Sequence, residues 1–166
     1  KTMALVDLDA IRDRPAGDSR HARAEHVLEL AESIAAVGLL QPPALDMNRA
    51  LVAGLHRREA LRLLLTPPAA RADLLARYQQ VEHLDPEETA ERLLALPKPQ
   101  DLPEPLKAGK IPCRVLVDLD AAKDPEAALA AEAAENTARK QYTPTEVEAL
   151  ATRLRAAGYR ERGGRP

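Results

Sequence analysis

The sequence contains no phenylalanine and no tryptophan, and its aromatic content is three tyrosines, Tyr78, Tyr142 and Tyr159. A core must therefore be built from Leu, Val, Ile and a large share of Ala, which packs helices closely but buries little apolar area per residue. Aromatic base-stacking platforms of the kind used by RNA-recognition sheets and single-strand grooves are excluded. A lone cysteine, Cys113, rules out a disulfide framework within the chain and any multi-cysteine zinc site. No apolar run approaches the roughly 18 residues needed to span a bilayer. No charged-then-apolar leader opens the sequence, so the expectation is a soluble, cytoplasmic chain without membrane association. Net charge is also scarce, at -2 over 166 residues with 45% apolar residues, which excludes a wholly disordered chain and fits one domain or one domain with an appendage.

What is present reads as alternating short strands and helices. Met3 to Leu8 suits an edge strand, and the arginine-rich stretch Arg12 to Arg23 with Pro15 and Gly17 reads as a polar loop. Val27, Leu30, Ala31 and Ile34 fall on one face of a helix predicted over Ala24 to Val37, which Gly38 is placed to end in the left-handed conformation. Leu39 to Leu45, interrupted by Pro42 and Pro43, suits an edge strand or the beginning of one, and Leu51 to Ala53 a second short strand. Gly54 then separates strand from helix, the latter over about His56 to Leu65. Between Pro67 and Lys110 lie two helical patterns, near Ala69 to Gln79 and Pro86 to Leu96, the second announced by Asp85-Pro86-Glu87-Glu88. This stretch reads as a helical insertion. Ile111 to Val117 is the clearest strand, a helix runs from Asp124-Pro125 to about Arg139, and the capping box Thr143-Pro144-Thr145-Glu146 opens another to Gly158. The order predicts a small mixed α/β (α+β) domain with helices packed on its sheet and a helical C-terminal part.

Charge is segregated within this frame. Ala151 to Pro166 holds five arginines (Arg153, Arg155, Arg160, Arg162, Arg165) and one acid. Such a tail either approaches DNA by neutralising phosphates or simply complements a helix C-terminus in solvent.

Two constellations carry chemistry. Gly54-Leu55-His56-Arg57-Arg58-Glu59-Ala60 sits at the strand-to-helix junction. A glycine there admits close backbone approach, while first-turn N–H groups and arginine forks suit phosphate. The alternative is a plain turn followed by a solvated basic face. In the second, Glu132, Glu135, Asn136 and Arg139 form one polar stripe on an Ala-rich helix. A carboxylate and an amide can offer oxygens to magnesium while a guanidinium holds phosphate; the alternative is an exposed face with helical ion pairs.

Taken in order, LAESIAAVGLLQPPAL (Leu30 to Leu45), LVAGLHRREAL (Leu51 to Leu61), IPCRVLVDLD and AAENTARKQYTPTEVEAL (Ala133 to Leu150) resemble the N-terminal domain of ParB-type partition proteins. The resemblance covers roughly 120 residues and omits the insertion. It implies a ParB/sulfiredoxin-like nucleotide-binding subdomain at 1–120, with the insertion at about 67–110. It further implies a helical subdomain at 121–166 that carries the ENxxR box and basic tail, either cut before a helix-turn-helix domain or from a short relative lacking one. The implied activity is a clamp-type switch that binds CTP (or ATP) with Mg2+, hydrolyses it, dimerises on DNA and works with a ParA-type ATPase in plasmid or chromosome segregation. The implied nucleotide residues are Gly54, Leu55, His56, Arg57, Arg58, Ala60, Arg139 and, from the first loop, Arg20. Glu135 and Asn136 take the catalytic and metal roles, and Arg153, Arg155, Arg160, Arg162 and Arg165 lie near DNA.

Three departures qualify the match. Leu55-His56 replaces the family's usual Glu-Arg, which resembles the ATP-using kinase branch; sulfiredoxin chemistry needs a cysteine where Leu55 stands. The insertion is long, and the chain stops at Gly163-Gly164-Arg165-Pro166 with no helix-turn-helix motif. Rival classes are therefore an ATP-dependent small-molecule kinase, a metal-dependent nuclease, and an inactive partner-binding module. Among other residues, His26 reads as a surface histidine, His56 as a phosphate donor or acid, and Cys113 as a small buried hydrophobe.

Overall fold

The computed structural model describes residues 2–15, 21–80 and 83–139, with the side chains of 137–139 excepted. The loop residue Arg20, the Thr143 to Gly158 helix, Tyr142, Tyr159 and the five tail arginines lie outside the described residues.

The polypeptide forms a small mixed α/β domain on a four-stranded sheet. In chain order the main elements are β1 (Thr2–Asp7), α1 (Ala24–Val37), β2 (Ala44–Leu45), β3 (Leu51–Ala53), α2 (Leu55–Leu65), α3 (Arg71–Ala76), α4 (Pro86–Ala95), β4 (Lys110–Val115) and α5 (Pro125–Arg139). Strand order is β1-β4-β2-β3, with β4 antiparallel to β1 and parallel to β2, and β2 antiparallel to β3.

The expected edge strand at the N-terminus is an edge. The proline-broken segment differs, because only Ala44 and Leu45 pair and they sit between β4 and β3, inside the sheet. Pro42 and Pro43 cannot donate to a ladder, so pairing starts only after them. Pro112 is tolerated in β4 for the complementary reason: β2 pairs only Arg114 and Val115, leaving Pro112 opposite Leu5 of β1 alone.

Side-chain alternation sends neighbouring residues to opposite faces. Leu45, Leu51, Ile111 and Cys113 join the main core with α1 and α2, whereas Ala44, Val52 and Ala53 form a second cluster with Leu116, Leu119 and Ala131 of α5. α5 therefore covers the face opposite α1 and α2. Helix α1 matches its predicted span, with Val27, Ala31 and Ile34 buried and Leu30 packed partly buried against the core, while Leu28, fully buried, widens its inward face. Gly38 ends α1 at φ 86° and ψ 175°, a positive-φ conformation reserved for glycine but not the left-handed helical one, because the chain must leave extended towards Gln41.

The insertion is part of the fold rather than an appendage. Leu75, Leu93, Leu96, Leu102 and Leu106 all enter the main core. Each fully buried leucine contributes about 2 kcal/mol by apolar burial. Asp85 caps α4 as its sequence predicts, its carboxylate accepting from the Glu88 N–H at 2.9 Å. Ala24 N–H donates to the Gln79 carbonyl and Gln79 N–H to the Ala22 carbonyl, both at 2.9 Å, so the end of α3 is stitched to the start of α1.

The strongest tie is Arg71, with 1% of its surface exposed. Its Nε donates to the Leu63 and Thr66 carbonyls at 3.1 and 3.0 Å, and its Nη2 to those of Leu64 and Pro97 at 2.8 and 2.7 Å. The guanidinium thereby satisfies the carbonyls at the C-terminus of α2, where a cation also meets the negative end of the helix dipole. Arg71→Met is expected to cost about 3 kcal/mol by leaving these carbonyls unpaired. Urea unfolding should show a lower midpoint with unchanged slope, and Arg71→Lys should recover part of the loss.

Candidate functional site

β3 ends at Ala53 and α2 begins at Leu55, so one residue must turn the chain from strand to helix. Gly54 does so at φ 101° and ψ 32°, in the left-handed region where a Cβ is strained. Helix α2 has no side-chain cap at its N-terminus and no acid in its first turn. The residues there are Leu55, His56, Arg57 and Arg58, so the positive end of the helix dipole carries further positive charge.

The three basic side chains of this turn diverge. His56 Nε2 accepts the Arg23 N–H at 3.1 Å, which places the proton of the neutral ring on Nδ1. Its ring meets that of His26 edge to face, with centroids 4.5 Å apart. Arg57 Nη2 donates to Gln41 Oε1 at 2.8 Å, joining α2 to the segment after α1. Arg58 turns to the first loop and its own neighbour: Nη2 lies 2.6 Å from Asp13 Oδ1, and Nε donates to Glu59 Oε2 at 2.8 Å. Glu59 Oε1 in turn accepts from the Tyr78 hydroxyl at 2.8 Å and lies 3.1 Å from Arg62 Nε. Burial and the Glu59 charge both raise the Tyr78 pKa, so the phenol stays protonated and donates.

The second constellation lies on the other side of β3. Glu132 Oε1 accepts from Arg14 Nη2 at 2.9 Å, and Arg14 Nη1 reaches the Val52 carbonyl at 3.3 Å. Glu135, with 6% of its surface exposed, accepts from Arg114 Nη1 at 2.8 Å. Asn136 is half-buried on the same stripe, and the Arg139 side chain lies outside the described residues. Thus Gly54, Arg57 and Arg58 stand at the end of β3, and Glu132 and Glu135 on the helix packed against it. Arg14 joins β3, at the Val52 carbonyl, to Glu132 of that helix.

Arg14, Arg114 and Asp13 complete this arrangement although sequence reasoning had not selected them. Arg114 was findable, since it alternates with the buried Cys113 and Val115 and must face α5. Arg14 and Asp13 lie in an aperiodic loop and carry no such signal.

A magnesium ion has a restricted fit here. The donors are one carboxylate, Glu135, already paired with Arg114, and one amide, Asn136. Among the described residues no group of three or more His, Cys, Asp or Glu is arranged to hold a metal. Magnesium commonly binds through one or two carboxylates plus phosphate and water, so this donor set fits a phosphate-borne ion and not a protein cage.

Beside this end of α2 opens a cleft of about 690 Å3, lined by Arg12, Arg14, Arg58 and Arg62 against Asp13 and Glu59. Two other polar groups are structural. Asp46 is 1% exposed and accepts from the N–H groups of Asn48, Ala50 and Ala121 at 2.8, 2.9 and 2.9 Å, fixing the turn between β2 and β3. Burial pushes the Cys113 thiol up to about 11, which leaves it an inert core residue.

No protein-family model, curated protein or solved structure matches the chain. Among the described residues no helix is long and apolar enough to cross a membrane.

His26 supplies a pH test of the packing at this site. Burial, followed by Arg23 and then Arg57, lowers its pKa against the opposing pull of Glu29 and Glu25. A depressed histidine binds fewer protons folded than unfolded, so stability rises with pH through the window between its folded pKa and about 6.5. Acidification from about pH 7.5 to 5.5 should therefore lower the urea midpoint more steeply in the wild type than in His26→Asn.

Proposed function

We propose that this chain is a ParB-like DNA-partition protein whose domain, of the ParB/sulfiredoxin-like kind, binds and hydrolyses CTP with magnesium as a clamp-type switch. The observation that supports this reading is the Arg14 crosslink. It brings the acidic stripe of α5 against the strand that leads into Gly54, so both sequence constellations stand at one end of the sheet.

In this reading the left-handed Gly54 lets a triphosphate approach the backbone, and the uncapped, acid-free first turn of α2 faces negative charge with its N–H groups. Arg57 and Arg139 donate to phosphate oxygens, and Ala60 keeps the helix close to the sheet, being fully buried. Glu135 and Asn136 hold the metal and orient the attacking water. Magnesium, when bound with the nucleotide, neutralises charge on the phosphates during transfer. Arg114 holds the Glu135 carboxylate in its absence, which avoids an unpaired buried charge. Dimerisation and DNA contact fall to the C-terminal region, with Arg153, Arg155, Arg160, Arg162 and Arg165 neutralising DNA phosphates.

Calorimetric titration with CTP, ATP, GTP and UTP in magnesium tests this directly. CTP is expected to bind selectively; binding of none of the four overturns the switch, and ATP preference moves the chain to the kinase class. Asn136→Ala should lower magnesium-dependent CTP hydrolysis on the order of 100-fold while leaving the thermal midpoint in place. Turnover that persists in that variant removes the metal from this position, and chelator-sensitive nicking of supercoiled plasmid favours the nuclease.

A further inference from the structure

Helix α2 presents two different basic faces. Arg57 joins Gln41, whereas Leu55, Arg58, Glu59 and Arg62, spaced at i, i+3, i+4 and i+7, form a stripe along the cleft of about 690 Å3. The opposite wall comes from the first loop, with Arg12 and Arg14, and the third from Tyr78 of the insertion. Four arginines and two carboxylates line this space, and Arg14 is matched by Glu132 of α5, so a surplus of one positive charge remains on concave walls, which attracts an anion. Arg58 and Arg14 are more than nine-tenths buried, so their positions are set by the fold before any ligand arrives.

We propose that this cleft is a binding subsite for a phosphate-bearing anion and that the insertion controls it through Tyr78. The inference rests on reading this end of the sheet as a phosphate site, but not on the identity of the nucleotide. Arg62 is the most accessible arginine of the α2 stripe, with 40% of its side chain exposed, and meets the ligand. Glu59 determines how much of the arginine charge the ligand feels, because it contacts both Arg58 and Arg62. Tyr78 fixes Glu59 by donating to the same oxygen that Arg62 approaches. Loss of the hydroxyl frees that oxygen to pair fully with Arg62 and withdraws the arginine from the cleft. Tyr78 is a positioning residue, acting through Glu59.

The test measures binding of inorganic tripolyphosphate, and of CTP with magnesium, to the full chain by calorimetry, with thermal unfolding as the check on folding. Arg62→Gln should weaken tripolyphosphate binding about 10-fold and Tyr78→Phe about 5-fold, both with little change in thermal midpoint. In a Glu59→Gln background, Tyr78→Phe should have no further effect on affinity, a coupling that a merely structural tyrosine does not produce. Wild-type binding that neither Arg62→Gln nor Tyr78→Phe changes overturns the cleft proposal and leaves the nucleotide reading standing. Tripolyphosphate binding that depends on both residues, with none of the four nucleotides bound, supports the cleft and overturns the nucleotide reading. Absence of binding by any of these anions overturns both.

Discussion

Arg14 is 8% exposed, comes from a loop, and touches both the Val52 carbonyl in β3 and the Glu132 carboxylate on α5. A guanidinium in that position is costly unless its hydrogen bonds are met, so the loop, the strand and the helix must be in register together. The same constraint recurs at the buried Arg58 and Arg71 and, from the acid's side, at the buried Glu135 paired with Arg114, each of which joins segments distant in sequence. In a core without phenyl or indole rings, aliphatic contacts are small and forgiving, and these directional cross-links specify which arrangement is adopted. Unlike apolar contacts, they also place charge at defined points of the molecule.

That placement gives the two sides of β3 different characters. On the α5 side, Glu132 and Glu135 are matched one to one with Arg14 and Arg114. On the α2 side, Arg58 and Arg62 share Glu59 and Arg58 also meets Asp13, so the surplus charge of the cleft is that of Arg12, which donates to the Asn48 carbonyl. Gly54 stands between them. In the proposed reading a polyanion there would meet backbone N–H groups and arginine forks, with the acidic stripe facing it through a cation. The scarcity of aromatic side chains points the same way.

The insertion alters how the domain works as a unit. Arg71 ties it to the C-terminus of α2, Gln79 ties it to the start of α1, and Tyr78 reaches Glu59 on the cleft-facing stripe. The insertion therefore has a short mechanical path to α2 through hydrogen-bonded groups, the buried Arg71 and the half-buried Tyr78. Removing the segment would also expose the main core, since five of its leucines are buried there.

Local patterns alone determined much of this architecture. The spans of α1 and β3, the Asp85 cap and the glycine turn before α2 follow from periodicity, capping chemistry and the freedom of glycine, all of which act within a few residues. The polar stripe of α5 was equally legible, because helical spacing puts Glu132 and Glu135 on one face in any surroundings. Tertiary structure decided what those residues do. Leu28 joined Val27, Ala31 and Ile34 in the core beside a partly buried Leu30 because α2 packs on α1 there, and β2 pairs only at Ala44 and Leu45 because Pro42 and Pro43 precede them. The directions of Arg57 and Arg58, towards Gln41 and Asp13, and the pairing of Glu135 with Arg114 depend on contacts across 16 to 45 residues. Local spacing carries no record of such partners, because the acceptors that a buried guanidinium needs are assembled only when the sheet and helices close around it.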